Sequence, residues 1–428
     1  MEQQNVSESI LDAAVIGAGH AGLSISYCLK QHGLKHVVFE RGRIGESWLS
    51  QRWDSFAMNT ANKKNVLPGQ TYSGNNFDGF GTAGEFVSSL KAYKLEFQLP
   101  VLEHAQVISV TKSGEEQYFT VSVSVNGVIK NYQSKQVIVA SGSQNEKRIP
   151  SFAGNISKDI LQLHTTEYRN ALQLPEGAVL ITGSAQSGCQ IAEDLIEAGR
   201  KVYLSTSMVA RIPRRYRGKD IIDWLTSMGF FNLTTEAVTD PKVLAMKVPQ
   251  LSGIGELGHT MSLQSIAKNG ATILGKTENA DENNLFFAAN ASDHIKFADG
   301  FSQKAKGMVD DFILKNQLSA SPPEEDIADV PDSNASCAST ITTLNLTEHN
   351  IKSIIWTTGF GADFSYIKLP ILNSDGSPKH KNGLSDVKGL YFLGFPWLRM
   401  RKSGMIFGIK EDAEFIADAV VNNLYVIK

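Results

Sequence analysis

Two segments of the chain join a short apolar run to three small residues at the spacing of a dinucleotide-binding turn. This repeat limits the folds open to the polypeptide. The first is Gly17-Ala-Gly19-His-Ala-Gly22, after Ala13-Ala-Val-Ile16. The second is Gly183-Ser-Ala185-Gln-Ser-Gly188, after Ala178-Val-Leu-Ile-Thr182. Apolar runs of this length suit parallel strands buried on both faces. A helix that starts within each turn would aim free N–H groups and a positive dipole end at a diphosphate. Two such units in one polypeptide predict two bound nucleotides.

The surroundings of the two turns differ. After the first, residues 23–30 predict a helix with an apolar face, stopped at Gly33. A second strand, His36-Val-Val-Phe39, ends in Glu40. A carboxylate about 20 residues past the glycines accepts hydrogen bonds from ribose hydroxyls and repels a 2′-phosphate. Gly17, Gly19, Gly22 and Glu40 therefore predict FAD or NAD rather than NADP. In the second unit Ala185 stands where the middle glycine would sit, which still permits fairly close backbone approach. Its second strand, Lys201-Val-Tyr-Leu204, ends in Ser205-Thr-Ser207 with no acid, and Arg211, Arg214, Arg215 and Arg217 follow. Hydroxyls and guanidinium groups suit a 2′-phosphate. Ser205, Thr206, Arg211 and Arg215 therefore predict NADP, with a solvated basic loop as the alternative.

The chain has 428 residues, enough for two or three domains with their own cores. A net charge of -3 supplies no basic field for nucleic acid. No apolar run approaches the roughly 18 residues of a membrane span. The start, Met1 to Ser9, is polar and lacks the signal-peptide pattern. Cys28, Cys189 and Cys337 are far apart and form neither a Cys-x-x-Cys pair nor a zinc spacing, so no metal site and a reduced, cytoplasmic setting are expected. Alternating stretches at 107–110, 118–125 and 128–132 predict a β-meander. A strand at 136–140 leads to Gly142, an equivalent one at 354–358 leads to Gly359, and a last one at 389–393 leads to Gly394. Helix follows from about Gly408 to Val421. The fold expected is α/β, with two Rossmann-like dinucleotide-binding domains, the second inserted in the first. The expected limits are 1–150 for the first part of the FAD domain and 151–345 for the NADP domain with a substrate-side insertion. Residues 346–428 then complete the FAD domain. The Ser-, Pro- and acid-rich stretch Ser319–Ser339 is expected to be an exposed loop. Trp224, Phe230, Phe231, Phe286 and Phe287 either line a pocket or fill a core, the commoner fate.

The paired turns, Gly45-Glu-Ser-Trp48 with Arg52-Trp53, Leu67-Pro-Gly69, Arg211-Ile-Pro-Arg-Arg-Tyr-Arg217, Trp356-Thr-Thr-Gly-Phe360, and Gly389–Gly394 with Ser403-Gly404 belong together. In these the chain resembles the flavin-containing monooxygenases, more narrowly the bacterial CzcO-like flavoproteins. The resemblance implies FAD in the first site, touched by His20, Arg41, Gly45, Trp48, Val107 and Gly142. It implies NADPH in the second, touched by Gly183, Ser184, Gln186, Ser187, Gly188 and Gly359. Gly394, Phe395, Ser403 and Gly404 would approach the flavin ring, although a turn and helix start explain Ser403 nearly as well. The monooxygenase signature of the family is matched at its two ends by Phe152-Ala-Gly154 and His164-Thr-Thr-Glu-Tyr168, with His164 expected to be structural. The active-site asparagine of the family falls on Asn59 or Asn62, with loop capping as the alternative role. The implied activity is NADPH-dependent oxygenation of a small soft nucleophile, at nitrogen or sulfur, through a C4a-(hydro)peroxyflavin. Molecular oxygen and a small molecule are then the partners, with a homodimer left open. An NADPH oxidase or flavin reductase without oxygen transfer, a Baeyer–Villiger oxygenase and a nucleotide-sensing transporter partner are the alternatives. Tyr168, where Baeyer–Villiger enzymes carry Trp, weighs against that subgroup.

Overall fold

A computed structural model describes residues 10–112, 118–246, 248–374 and 376–427; the polar start, 1–9, lies outside the described residues. The chain opens with strand β1 (Ala13–Ile16), every residue of which is buried. Helix α1 (His20–Gln31) follows, then β2 (His36–Phe39), α2 (Glu46–Ser50), α3 (Ala83–Glu96) and β3 (Val101–Leu102). Strands β4 (Ala105–Thr111), β5 (Phe119–Val125) and β6 (Val128–Ser134) form the expected antiparallel meander. Along the first five residues of β5 buried and half-buried residues alternate, as a sheet with one covered face requires. Strand β7 (Val137–Val139) then returns to the first sheet beside β1.

A two-residue strand, β8 (Glu146–Lys147), leads into a second sheet built from β9 (Leu161–His164), β10 (Ala178–Thr182), β11 (Val202–Ser205), β12 (Thr272–Leu274) and β13 (Ile351–Trp356). Helix α4 (Gln186–Glu197) joins β10 to β11, and the 25-residue helix α5 (Ala291–Lys315) precedes β13. The order is β12-β11-β10-β13-β9, and every pairing is parallel. The exit strand β14 (Phe360–Gly361) pairs antiparallel with β8. Strands β15 (His380–Lys381), β16 (Leu384–Ser385) and β17 (Leu390–Phe392) extend the first sheet to the order β15-β16-β17-β7-β1-β2-β3. The last helix, α6 (Ile409–Ile427), packs on α1.

The second sheet is thus nested in sequence within the first. The expected boundary at 345 needs correction. Ile351–Trp356 pairs with β10 on one side and β9 on the other, so it belongs to the second sheet. The chain leaves that sheet after Trp356. The stretch Ser319–Ser339 is also more than an exposed loop, because Asp329 and Ala335 are buried within it. Among the described residues, no helix is long and apolar enough to cross a membrane.

In both sheets the strand order reverses at the strand that carries the turn. β1 lies between β2 and β7, and β10 lies between β11 and β13. Ligands of such sheets bind in the crevice beyond the carboxyl ends of the strands at this reversal.

Candidate functional site

The two turns are near copies in backbone geometry. Gly17 has φ +101° and Gly183 φ +104°, a region that L side chains rarely adopt. A Cβ at Gly17 would lie 2.7 Å from the Ala140 carbonyl oxygen, and one at Gly183 would lie 2.7 Å from that of Thr357. Glycine thus lets each turn pass under the neighbouring strand. Gly22 and Gly188 have the same task one helical turn on, where a methyl would overlap the carbonyl oxygen of Gly17 or Gly183. The middle positions differ in kind. Gly19 has φ -79° and ψ -172°, and Ala185 has φ -75° and ψ -173°. Both are extended backbone open to any residue, and a Cβ at Gly19 would meet nothing within 4 Å. The alanine at the second turn therefore needs no backbone strain.

One cavity of about 740 Å³ runs from the first turn to the start of α4. Gly17, Gly19, His20, Glu40, Arg41, Gly45, Trp48, Val107 and Gly142 border it on the side of the first sheet. Gln186 and Ser187 border it from the second, Gly394 and Gly404 from the C-terminal segment, and Asn59 from the loop before α3. Glu40 is buried at the end of β2. Its carboxylate accepts from the N–H of Ala18 at 2.8 Å and of Gly42 at 2.9 Å, which fixes its plane. Burial pushes this carboxyl up, and the two N–H donors partly oppose the rise. Burial likewise brings His20 down to about 4, so its imidazole is neutral at physiological pH. Trp48 stands edge-on to Phe86, with ring centres 5.2 Å apart.

Asn59 is held from two directions. Its Oδ1 accepts from Gln190 Nε2 on α4 at 2.9 Å, and its main-chain carbonyl accepts from Arg214 Nη1 at 3.0 Å. Arg214 is itself buried against Asp220 and lies 4.3 Å above the Phe80 ring. The competing Asn62 sits away from the cavity, its Nδ2 spent on the Asn76 carbonyl at 3.0 Å. Asn62 as a catalytic residue is therefore corrected, because its amide serves the loop.

The assignment of Arg211 is corrected as well. Its guanidinium is fully buried, donating from Nε and Nη2 to Asp299 at 2.9 and 2.7 Å and from Nη1 to Asp329. It has no free face for a phosphate. Arg217 is paired with Asp310. Of the four arginines, Arg215 alone makes no ion pair among the described residues, and it donates to the Gly218 carbonyl at 2.9 Å. The hydroxyls expected to read a 2′-phosphate are also engaged elsewhere. Ser205 Oγ donates to the Gly275 carbonyl at 2.9 Å, and Thr206 Oγ1 to that of Leu274 at 2.7 Å, both side chains being buried. Ser184 Oγ accepts from the Ser207 N–H at 3.0 Å and braces the second turn.

The remaining candidates stand behind the cavity wall. Phe395 packs its ring against Phe364 and Phe392 in the core. Ser403 Oγ accepts from the N–H groups of Arg399 and Met400, each at 3.1 Å, so it closes a turn. The Gly359 carbonyl meets His164 Nε2 at 3.1 Å, and His164 is buried between the sheets' connections. Trp224, Phe231 and Phe287 are core residues, and none of the five aromatic candidates borders the cavity. Arg52, Trp53, Phe56, Met58 and Gln190 do border it and were not among the expected site residues. The Arg52-Trp53 pair stands in the Gly45–Trp53 motif, the one signal that pointed toward them.

The cavity suits nucleotides chemically. His20 Nε2, Trp53 Nε1, Thr165 Oγ1, Gln186 Oε1 and Gln190 Oε1 are buried polar atoms on bordering residues, and none has a hydrogen-bond partner among the described residues. Such atoms are uncommon in native proteins and call for a partner. The open space at Gly19 lies before the N-terminus of α1, where a diphosphate is favoured. Two dinucleotide folds sharing this cavity define a flavoprotein oxidoreductase, whose cofactors are FAD and NADP.

A family model described as pyridine nucleotide-disulphide oxidoreductase matches residues 14–226. An uncharacterized CzcO-like oxidoreductase of Geobacillus kaustophilus is 31% identical over 97% of this chain and 100% of its own length. The chain belongs to the CzcO-like oxidoreductases. A probable indole-3-pyruvate monooxygenase of Arabidopsis thaliana is 28% identical over 49% of this chain and 54% of its own. Among solved structures, a flavin-containing monooxygenase from Stenotrophomonas maltophilia has a TM-score of 0.63 at 17% identity, covering 97% of this chain and 99% of that one. A bacillithiol disulfide reductase from Staphylococcus aureus has a TM-score of 0.60 at 13% identity, covering 96% and 98%. The fold is therefore common to oxygenases and reductases, and the site has to separate them.

Proposed function

We propose that the protein is an NADPH-dependent flavin monooxygenase that oxygenates the nitrogen or sulfur of a small soft nucleophile. The observation that carries this reading is the meeting of both nucleotide turns in one cavity, with Asn59 at their junction. FAD, when bound, supplies hydride acceptance and the activation of oxygen. The chain supplies binding, orientation and shelter from water. Glu40, its plane fixed by Ala18 and Gly42, accepts from the adenosine ribose of the flavin nucleotide. The N-termini of α1 and α4 receive the two diphosphates. Arg215 is the guanidinium of its cluster left to meet a 2′-phosphate. Asn59 Nδ2 has no protein acceptor among the described residues, while its Oδ1 and carbonyl are both tied down. That leaves one aimed donor at the junction.

The cysteines weigh against disulfide reduction. All three are free thiols, and burial pushes Cys28 up to about 12 and Cys189 well up. A thiol relay needs an accessible thiolate at neutral pH. The relatives named as monooxygenases support the oxygenase reading over half the chain. The test is anaerobic reduction of FAD-loaded protein by NADPH, then mixing with oxygen and a panel of amines, sulfides and ketones. Oxygenated product in proportion to NADPH consumed is expected. Complete conversion of reducing equivalents to hydrogen peroxide across the panel would refute it.

A further inference from the structure

Three cations border the cavity among the described residues: Arg41, Lys368 and Arg52. Arg41 and Lys368 are exposed, so water solvates them. Arg52 is half-buried, just past α2, with its guanidinium carbon 5.0 Å from the Trp48 ring centre and 5.5 Å from that of Phe56. Among the described residues its single hydrogen bond runs from Nη1 to the Gln51 carbonyl at 3.0 Å. No carboxylate among the described residues lies within ion-pair distance of it. This contrasts with Arg211 and Arg214, each buried against aspartate. A sheltered guanidinium is ordinarily paired, because burying an uncompensated charge is costly. One residue on, Trp53 Nε1 is a buried donor without an acceptor, on a side chain that borders the same cavity.

We infer that Arg52 is the anion-binding residue of this cavity and takes an oxyanion, either the diphosphate of a nucleotide or the carboxylate of an organic substrate. The inference rests on the cavity being the nucleotide site proposed above. The Trp48 and Phe56 rings flank the guanidinium and restrict its movement. Nε and Nη2 are left as a fork with no acceptor among the described residues, the geometry that matches two oxygens of one anion. Trp53 Nε1 is a further buried donor on a residue that borders the same cavity. Burial lowers the guanidinium to about 10, which leaves it charged at neutral pH.

The experiment compares wild type with Arg52→Met, which keeps the apolar stem, and Arg52→Lys, which keeps the charge. Three dissociation constants are measured: FAD with the apoprotein, NADP+ with the FAD-loaded protein, and phenylacetate, beside neutral phenylacetamide, with the same holoprotein. A rise of about tenfold or more in one of these is expected for Arg52→Met, with partial recovery in Arg52→Lys. The ligand affected names the source of the anion. If phenylacetate is the one, phenylacetamide is unaffected. Should Arg52→Met fail to fold, phenylglyoxal labelling of wild type at Arg52 is followed by mass spectrometry, with each ligand tested for protection. All three constants within twofold of wild type, or labelling that no ligand slows, overturns the inference. A wild type that takes up no FAD would instead undo the proposed function.

Discussion

Arg211→Met separates a coenzyme-binding arginine from an architectural one. The guanidinium joins α5, through Asp299, to the 319–339 stretch, through Asp329. Removing it leaves two buried carboxylates short of their shared cation. Breaking a buried pair in this way costs about 3–5 kcal/mol. Both carboxylates keep some help. Asp329 retains Lys306 and Ser302, and Asp299 retains Gln264 Nε2 at 2.9 Å and the Asp332 N–H at 2.8 Å. The lower end, about 3 kcal/mol, is therefore expected. For a unit of this size that lowers the melting temperature on the order of 10 °C. Adding Asp299→Asn removes one stranded charge and recovers part of the loss. The assay pairs a melting curve with kcat/KM for NADPH and NADH on the same preparation. The expected result is a lower melting temperature with the NADPH-to-NADH ratio within twofold of wild type. A ratio that falls tenfold at unchanged stability would refute the reasoning and return Arg211 to the nucleotide.

Gly22→Ala should abolish FAD uptake and Gly188→Ala should weaken NADP+ binding at least tenfold, since each methyl meets a backbone oxygen that cannot retreat; flavin absorbance and calorimetric titration read the two effects. Ala185→Gly, by contrast, should leave NADP+ affinity within twofold, because its backbone is already in an ordinary region. Asn59→Ala should lower the fraction of NADPH that ends in oxygenated product, whereas Asn62→Ala should not, as peroxide assays will show. His259 Nε2 lies 3.0 Å from Glu193, whose carboxylate raises the imidazole above its usual 6.5. A raised histidine stabilises the fold fully below its unfolded pKa and loses that contribution as pH climbs through the folded value. The melting temperature of His259→Gln should accordingly change less than wild type between about pH 6 and 8.

The turns were legible in the sequence because their constraints are local. Gly22 lies five residues past Gly17 and is kept small by the Gly17 carbonyl oxygen, so spacing alone reveals the pair. Both sheets follow from buried apolar runs beside those turns. The arginine cluster was misread for the opposite reason. Arg211 meets its partners 88 and 118 residues further along, in a helix and an acid-rich stretch that carry no periodic link to it. Charge alone does not distinguish a guanidinium facing a phosphate from one facing two aspartates. Asn59 and Asn62 differ by three places, and contact with Gln190, 131 residues on, is what sets Asn59 apart. The boundary at 345 missed β13 because its apolar run reads the same in either sheet.

The nesting of one sheet inside the other also dictates an order of assembly on the ribosome. The second sheet is continuous and has all its strands once Trp356 has emerged. The first begins at Ala13, yet β7 waits for Leu390–Phe392 and α1 waits for α6. At translation rates of about 5–20 residues per second, that wait lasts roughly 10–50 s. Throughout it, an apolar strand edge and one face of α1 stand uncovered, exposed to any chaperone or stray strand nearby. The first sheet is thus the first to be started and the last to be closed. A chain truncated before Leu390 would hold every strand of the second sheet and an unfinished first one.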